Sequence, residues 1–183
     1  KVVLYKHGFF GNKITPHRIM VNASHELQEE GYTICRFDCA GAGDSEGDSH
    51  YTTIYGEIED TKVVLHWIKE NIRPEKFMIL GYSMGGIVTE KYISEYGADN
   101  ISKQITAGTP FWGAPTMLCV LSTGDLSYII GGLGVAESLF TSFELPSVLV
   151  NLGSCYDLLP NKDYTDDWQW IYSYKRTYDH WYD

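Results

Sequence analysis

The chain has 183 residues, which is enough for one domain with a core of its own, and its content of 44% hydrophobic and 21% charged residues is typical of a globular protein. The net charge of −10 argues against nucleic acid or an anionic membrane surface as a partner. No apolar stretch approaches the length of a membrane-spanning helix, because glycine, serine or charged residues interrupt each one.

The first 110 residues alternate apolar runs that predict strands with periodic segments that predict helices. Strands are expected at 2–5, 32–37, 77–80 and 104–107, and helices at 16–30, 54–71 and from 84 to about 96. Thr15 is expected to be the N-cap of the first helix, with Pro16 at its first position. Ile19, Ala23 and Leu27 recur at helical spacing. This alternation predicts βαβ units and a mostly parallel sheet.

Residues of types common in binding and catalytic sites follow each predicted strand. The four strands end at His7-Gly8, at Asp38, at Ser83 and at Thr109-Pro110. Binding and catalytic sites of parallel α/β sheets form at the carboxyl ends of the strands. The sequence therefore predicts a single active site at this edge of the sheet.

The third strand runs directly into a G-x-S-x-G motif, from Gly81 to Gly85, and a helical segment follows. This order of strand, motif and helix is typical of a nucleophile elbow, in which the serine lies on a sharp turn. The N-terminus of the following helix favours negative charge that develops near the serine. Ser83 is therefore the predicted catalytic nucleophile. The alternative is an ordinary glycine-rich turn between a strand and a helix.

A serine nucleophile also needs hydrogen-bond donors for the oxyanion of the tetrahedral intermediate. The backbone N–H of Met84, the residue after the nucleophile, is the first predicted donor. The second is expected from the loop after the first strand, where Phe9 N–H is the candidate. His7 is expected to shape this loop through local hydrogen bonds rather than to act as the catalytic base.

The base and its acidic partner are the open part of the predicted site. His180 is the only histidine after Ser83, and with Asp157 it would complete a triad in the order serine, acid, histidine. The favoured alternative places the catalytic Asp and His in sequence downstream of this chain. The chain also opens at Lys1 directly into an apolar strand, so we expect it to be a fragment with an incomplete sheet.

Metal and cofactor chemistry is not predicted. The four cysteines lack metal-ligand spacing, which favours free thiols in a reducing, cytoplasmic compartment. The glycine-rich segment after Asp38 fits no phosphate-binding pattern and is expected to be a structural turn. The acidic alternation of Asp44, Glu46 and Asp48 lacks the rest of a calcium loop and is expected to be solvated. His17 and its counterparts His25 and His66 are expected at the surface.

The motifs together resemble the α/β-hydrolase superfamily over nearly the whole chain. Residues 1–100 resemble cinnamoyl and feruloyl esterases, through the segments 7–9, 38–45, 56–60 and the elbow. Residues 105–164 resemble the lecithin:cholesterol acyltransferase family, through 105–115, 121–125 and 156–161. The resemblance implies an α/β-hydrolase fold with Ser83 as nucleophile and with Phe9 and Met84 forming the oxyanion hole.

The predicted organisation is a core over 1–110 followed by a helical cap or insertion over 111–183. The predicted function is that of a serine ester hydrolase, without a cofactor, acting on a small-molecule or lipid ester with an apolar portion. One alternative is an acyltransferase of the lecithin:cholesterol type. Another is a catalytically incomplete module that binds a ligand or a protein. Peptidase activity is a further alternative, which the acyltransferase-like segment disfavours.

Overall fold

The computed structural model describes residues 1–49, 52–123, 155–156 and 158–160. The chain divides into two compact units, Lys1–Thr109 and Pro110–Asp183. The first unit contains, in chain order, β1 (Val2–Lys6), a 3-10 turn (Pro16–Arg18), α1 (Ile19–Glu29), β2 (Thr33–Arg36), α2 (Ile54–Asn71), β3 (Phe77–Tyr82), α3 (Met84–Tyr96) and β4 (Ile101–Ala107).

The four strands of the first unit form one parallel sheet in the order β2-β1-β3-β4. β1 and β3 are neighbours, with Leu4 opposite Ile79 and Lys6 opposite Gly81. The predicted parallel sheet is therefore confirmed. All of its strands run the same way, so their carboxyl ends lie along one edge, where the predicted site residues follow.

The core of the first unit lies on both sides of β1 and β3. Every residue of β1 is buried, as expected for an inner strand of a parallel sheet that is covered on both faces. α2 buries the apolar face that its sequence predicted, including Ile58, Leu65 and Ile68. Its N-cap is Thr53, whose side chain accepts a hydrogen bond from the Gly56 N–H at 3.0 Å.

The start of α1 differs from the prediction. Thr15 precedes only a short 3-10 turn, and His17 and Arg18 have positive φ angles of 55° and 58°. The α-helix begins at Ile19, whose side chain is 45% exposed, and Val21 is the only buried residue of α1. The predicted start was wrong because the left-handed backbone of His17 and Arg18 interrupts the helix before Ile19. Before this break, Asn12 Oδ1 accepts hydrogen bonds from the backbone N–H groups of Ile14 and Thr15.

The second unit contains α4 (Thr116–Thr123), which buries Met117 and Val120. A hydrogen bond of 2.7 Å from the Ala114 N–H to the Leu158 carbonyl joins the segment before this helix to 158–160. The assignment of 111–183 as a helical cap or insertion stays a prediction. Among the described residues, no helix has the length and hydropathy needed to cross a membrane.

Candidate active site

Ser83 lies at the junction of β3 and α3 in a backbone conformation that is unusual for a residue with a side chain. Its φ and ψ angles are 52° and −131°. Two hydrogen bonds hold this conformation: the Ser83 N–H donates to the Ala107 carbonyl at 2.8 Å, and the Gly86 N–H donates to the Ser83 carbonyl at 3.0 Å. Such conformations cost roughly 1–3 kcal/mol and persist where the surrounding structure imposes them, most often at functional sites.

The first turn of α3 packs directly against the end of β1. A Cβ atom added at Gly85 would collide with the carbonyl oxygens of Lys6 and His7. The two backbone segments therefore touch with no side chain between them, which is why the motif needs glycine at this position. This contact places Met84, the fully buried first residue of α3, beside the loop that follows β1.

The β1 loop, residues 7–13, reaches Ser83 itself. A Cβ atom at Gly8 would lie 2.7 Å from the Ser83 Cβ and 3.2 Å from the Ser83 Oγ. Phe9 follows in a tight turn that the Gly11 N–H closes by donating to the Gly8 carbonyl at 2.9 Å. The structure thus brings together the nucleophile candidate and the segments that carry both oxyanion candidates, Phe9 and Met84. Their catalytic roles stay predictions.

His7 is buried and both of its ring nitrogens are engaged. Its Nδ1 lies 2.9 Å from the Gly8 carbonyl, and its Nε2 accepts the Cys39 N–H at 3.2 Å. This pairing assigns the neutral tautomer with the proton on Nδ1. Burial, reinforced by the Lys6 ammonium, lowers the pKa of His7 to about 4. The predicted loop-shaping role is confirmed, since neither nitrogen is available to take a proton from Ser83.

A buried ion pair lies at the carboxyl end of β1. The Lys6 Nζ is 2.7 Å from Glu57 Oε2, and the two side chains are 0% and 3% exposed. The Lys6 Nζ also donates to the His7 carbonyl at 2.9 Å. Burial raises the pKa of Glu57 despite the opposing effect of Lys6. The sequence did not predict this pair: Lys6 ends an apolar strand and Glu57 falls on the buried face of α2, but neither pattern shows that the two side chains meet.

The β2 loop, residues 38–49, is organised by Asp38. Its Oδ1 accepts the Lys13 N–H at 2.6 Å, and its Oδ2 accepts the Lys13 ammonium at 2.6 Å and the Asp44 N–H at 3.0 Å. Burial acts to raise the pKa of Asp38, but these hydrogen bonds outweigh it and lower the pKa. Asp38 therefore joins the two loops as a structural carboxylate, in agreement with the predicted turn.

The remaining predictions concern the triad candidates, the cysteines, the surface histidines and metal binding. Asp157 and His180 lie outside the described residues. Cys39 has a free thiol, and burial raises its pKa to about 12, so it is no nucleophile at neutral pH. The three predicted surface histidines are exposed. In the part of the chain that the structure describes, no group of three or more His, Cys, Asp or Glu side chains is arranged to hold a metal ion.

A family model described as "Serine aminopeptidase, S33" matches residues 2–145. The chain belongs to this family. The match spans β1 to β4 and the elbow with Ser83, and it confirms the predicted membership of the α/β-hydrolase superfamily of serine hydrolases.

Two curated proteins resemble parts of the chain. Lysophosphatidylserine lipase ABHD12 from Danio rerio is 36% identical over 89 residues, which cover 48% of this chain and 22% of the relative. Uncharacterized protein RP471 from Rickettsia prowazekii is 27% identical over 93 residues, covering 50% of this chain and 38% of the relative. The chain therefore spans well under half the length of the curated relatives that it matches.

Solved structures share the fold. The Pyrococcus furiosus esterase PF2001 matches with a TM-score of 0.60 and 22% identity, over 91% of this chain and 56% of its own. The esterase EaEST from Exiguobacterium antarcticum matches with a TM-score of 0.62 and 21% identity, over 90% of this chain and 68% of its own. These similarities, with the parallel sheet and its flanking helices, confirm the predicted α/β-hydrolase fold.

Proposed function

We propose that the protein is a serine ester hydrolase that forms an acyl-enzyme on Ser83. The observation that carries the proposal is the strained serine at the start of α3, with the β1 loop so close that a Gly8 side chain would touch its Oγ. A reacting carbonyl bound at Ser83 Oγ would lie between the N-terminus of α3 and the loop that bears Phe9. This is the geometry that an oxyanion hole requires.

The proposed reaction has two steps. The Ser83 Oγ attacks the ester carbonyl while a general base takes its proton, and the C–O bond to the leaving alcohol breaks as the base returns that proton to the alcohol. Water then attacks the acyl-enzyme, the base accepts a proton from it, and the carboxylic acid leaves as Ser83 regains its hydrogen. Phe9 N–H and Met84 N–H donate to the oxyanion in both steps.

Two titratable groups at this edge of the sheet, His7 and Asp38, are excluded as the base of the proposed reaction. His7 does not serve, because its nitrogens are occupied and its pKa is about 4. Asp38 is held by Lys13 and the Asp44 N–H, so its carboxylate orients loops. His180 with Asp157 remains the candidate pair within the chain.

The expected substrate is an ester with an apolar portion. Two similar proteins support the class: a lysophosphatidylserine lipase that is 36% identical over 89 residues, and the structurally similar protein Est1E from Butyrivibrio proteoclasticus, solved with ferulic acid bound. Phe10 on the β1 loop is 51% exposed next to the proposed oxyanion donor Phe9, and the two rings are 4.3 Å apart. These rings offer apolar contact area to an acyl or aryl group.

Covalent labelling tests the nucleophile. A fluorophosphonate probe reacts with an activated serine, and we expect one adduct, located by peptide mass spectrometry at Ser83. The control variants are Ser83→Ala, which should lose the label, and Ser102→Ala, which changes another serine of the same unit and should keep it. An adduct that survives in Ser83→Ala, or a folded wild-type protein that resists the probe, would contradict the proposal.

Amide hydrolysis is the second candidate, because the family description names an aminopeptidase. The same serine and oxyanion donors serve peptides and esters, and an amide only makes the leaving group harder to expel. Parallel assays with p-nitrophenyl esters and aminoacyl p-nitroanilides separate the two. We expect turnover of the esters to exceed that of the anilides, and added alcohol tests transfer of the acyl group to an acceptor other than water.

A further inference from the structure

The ion pair between Lys6 and Glu57 is costly to bury. Both side chains are withdrawn from water, at 0% and 3% exposure, and their charged atoms are 2.7 Å apart. Removing two charges from water offsets much of their mutual attraction, so a buried pair is weak evidence of stabilisation and apolar side chains of similar size often serve the fold as well. The contacts of this pair point instead to a geometric role.

The ammonium of Lys6 holds a backbone carbonyl of the β1 loop. It donates to the His7 carbonyl at 2.9 Å while Glu57, from α2, holds the other side of the ammonium. The imidazole of His7 holds the next carbonyl, that of Gly8, also at 2.9 Å. Two consecutive peptide groups after β1 are therefore fixed through their oxygen atoms by the side chains of the two preceding residues.

Fixing these oxygens also fixes the N–H groups on the same peptides. A trans peptide is planar, and its N–H points away from its C=O. The pinned carbonyls of His7 and Gly8 belong to the same peptide groups as the Gly8 and Phe9 N–H bonds, so the directions of those N–H bonds are set as well. The Phe9 N–H is the proposed oxyanion donor, and the adjoining Gly8 lies against Ser83.

The His7 carbonyl also lies at the contact between β1 and α3. It is one of the two oxygens that a Cβ atom at Gly85 would strike, so it faces the first turn of the helix that begins with Met84. Lys6 thus holds a carbonyl oxygen that belongs to the β1 loop and contacts the first turn of α3, the two segments that carry the proposed donors. A shift of this carbonyl would move the β1 loop relative to the start of α3.

We propose that the buried Lys6–Glu57 pair is a positioning device for the oxyanion hole: it orients the His7–Gly8 peptide through the His7 carbonyl, and through that peptide the adjoining Gly8–Phe9 peptide that carries the proposed donor. This inference rests on the proposed function of Ser83. Both side chains are buried, so their proposed effect is on the loop and not on direct contact with the substrate. Their removal therefore lowers kcat through misalignment of a donor and leaves substrate binding largely unchanged.

The test replaces the pair by apolar residues of similar volume, Lys6→Met with Glu57→Leu, in the full chain. The matched control is the exposed pair on the same helix, Lys62→Met with Glu59→Leu, whose charged atoms are 3.3 Å apart. We expect the buried double variant to keep its Tm within about 5 °C. Its kcat on a p-nitrophenyl ester should fall by about 10- to 100-fold, with KM within about twofold. The control should match the wild type.

Amide hydrogen exchange provides a readout that does not depend on catalysis. In the buried double variant, we expect exchange over residues 7–11 to be about tenfold faster, while the amides of β3 keep the wild-type rate. Wild-type rates of both turnover and exchange in a stable double variant would overturn the positioning role. An inactive wild type whose variant still shows the faster exchange would refute the proposed function and leave the pinning of the loop established.

A conservative variant covers the case in which the double variant does not fold. Glu57→Gln preserves the shape of the side chain but removes the negative charge that holds the ammonium in place. We expect kcat to fall by about threefold to tenfold, with the same change in exchange over residues 7–11 in milder form. A folded Glu57→Gln protein with wild-type kcat and exchange rates would overturn the proposal.

Discussion

The β1 loop and the β2 loop leave the same edge of the sheet, but they are held in opposite ways. The β1 loop is fixed by Lys6 and His7, which are at most 1% exposed and act on backbone carbonyls. The β2 loop is fixed by Asp38, whose partner Lys13 is 32% exposed and also pairs with Asp44, itself 87% exposed. Solvent therefore reaches the ion pairs that hold the β2 loop, but not the side chains of Lys6 and His7 that hold the β1 loop.

Under the proposed function, the β1 loop serves the reaction and the β2 loop serves the architecture of the edge. Groups shielded from water keep their interactions strong and unaffected by salt, which suits a loop that must present an N–H in one direction. A half-exposed ion pair is screened and tolerates small movements. Variants of the β1 loop should therefore lower the rate of turnover, whereas variants of the β2 loop should lower the free energy of unfolding.

The largest contrast is expected between alanine substitutions of one glycine in each loop. Gly8→Ala places a methyl group against Ser83, and we expect kcat/KM to fall by about 100-fold or more, since a 1 Å displacement has that effect. Gly43→Ala meets the Asp38 carboxylate at a φ of 53°. It should reduce stability but leave kcat/KM within about threefold. Kinetics normalised by active-site labelling, with urea denaturation, measure both.

One result with Gly8→Ala would contradict this expected contrast. If Gly8→Ala retained turnover, the β1 loop would not form part of the site. Gly56→Ala, on α2, is the control for the substitution itself, because the nearest atom to the new methyl group would be Thr53 Oγ1 at 3.4 Å.

The second effect is a loss of stability in acid through His7. The unfolded chain binds a proton near pH 6.5, whereas folded His7 binds one only near its pKa of about 4. Between these values the unfolded state holds more protons, so stability falls as pH falls. We expect a loss on the order of 3 kcal/mol between pH 7 and pH 4, measured by urea denaturation at several pH values.

A variant isolates this contribution. His7→Gln retains an acceptor for the Cys39 N–H but cannot be protonated, so its stability should depend less on pH than that of the wild type. His66→Asn, at an exposed position of α2, should keep the wild-type dependence. Parallel pH profiles for wild type and His7→Gln would refute the assignment of a buried neutral imidazole.

The third effect concerns the Asp38 carboxylate, whose hydrogen bonds hold the β2 loop. Asp38→Asn weakens the contacts to Lys13 and the Asp44 N–H, and we expect a loss of about 2 kcal/mol in the free energy of unfolding. Asp44→Asn should change it by less than about 0.5 kcal/mol, because that side chain is almost fully exposed. Denaturation curves at low and high salt check both. Equal losses for the two variants would show that solvent exposure does not separate them.

The smallest effect is relief of strain at the nucleophile. Ser83→Gly removes the side chain that disfavours a φ of 52°, and we expect it to raise the free energy of unfolding by about 1 kcal/mol. Ser83→Ala keeps a Cβ atom and should leave stability near the wild-type value. Thermal denaturation of both inactive variants makes the comparison, and equal melting temperatures would show that the conformation stores no strain.

The sequence predicted most of the fold because its signals are local and mutually consistent. The buried face of α2 repeats at helical spacing, and the strands before His7 and Ser83 are apolar runs that end in glycine-rich turns. The G-x-S-x-G motif also predicted the position of Ser83 at the start of α3, since few other turns combine this strand, glycine pair and helix.

The missed features depend on contacts between distant parts of the chain. The pairing of Lys6 with Glu57 joins residues from β1 and α2, and no periodicity of either segment reveals it. The late start of α1 follows from the positive φ angles of His17 and Arg18, which interrupt the helix that would begin at Pro16. Local propensity favours the helix there, and the loop geometry overrides it.

The order of strands in the sheet also has a consequence during synthesis. β1 can pair with β2 once Arg36 has emerged, but its other edge waits for β3, which ends about 45 residues later at Tyr82. At a translation rate of about 5–20 residues per second, an apolar strand edge stays open for roughly 2–9 s. Unpaired edges of this kind can recruit other chains, so we expect the interval between the synthesis of β2 and that of β3 to be the one in which the nascent protein is most prone to aggregate.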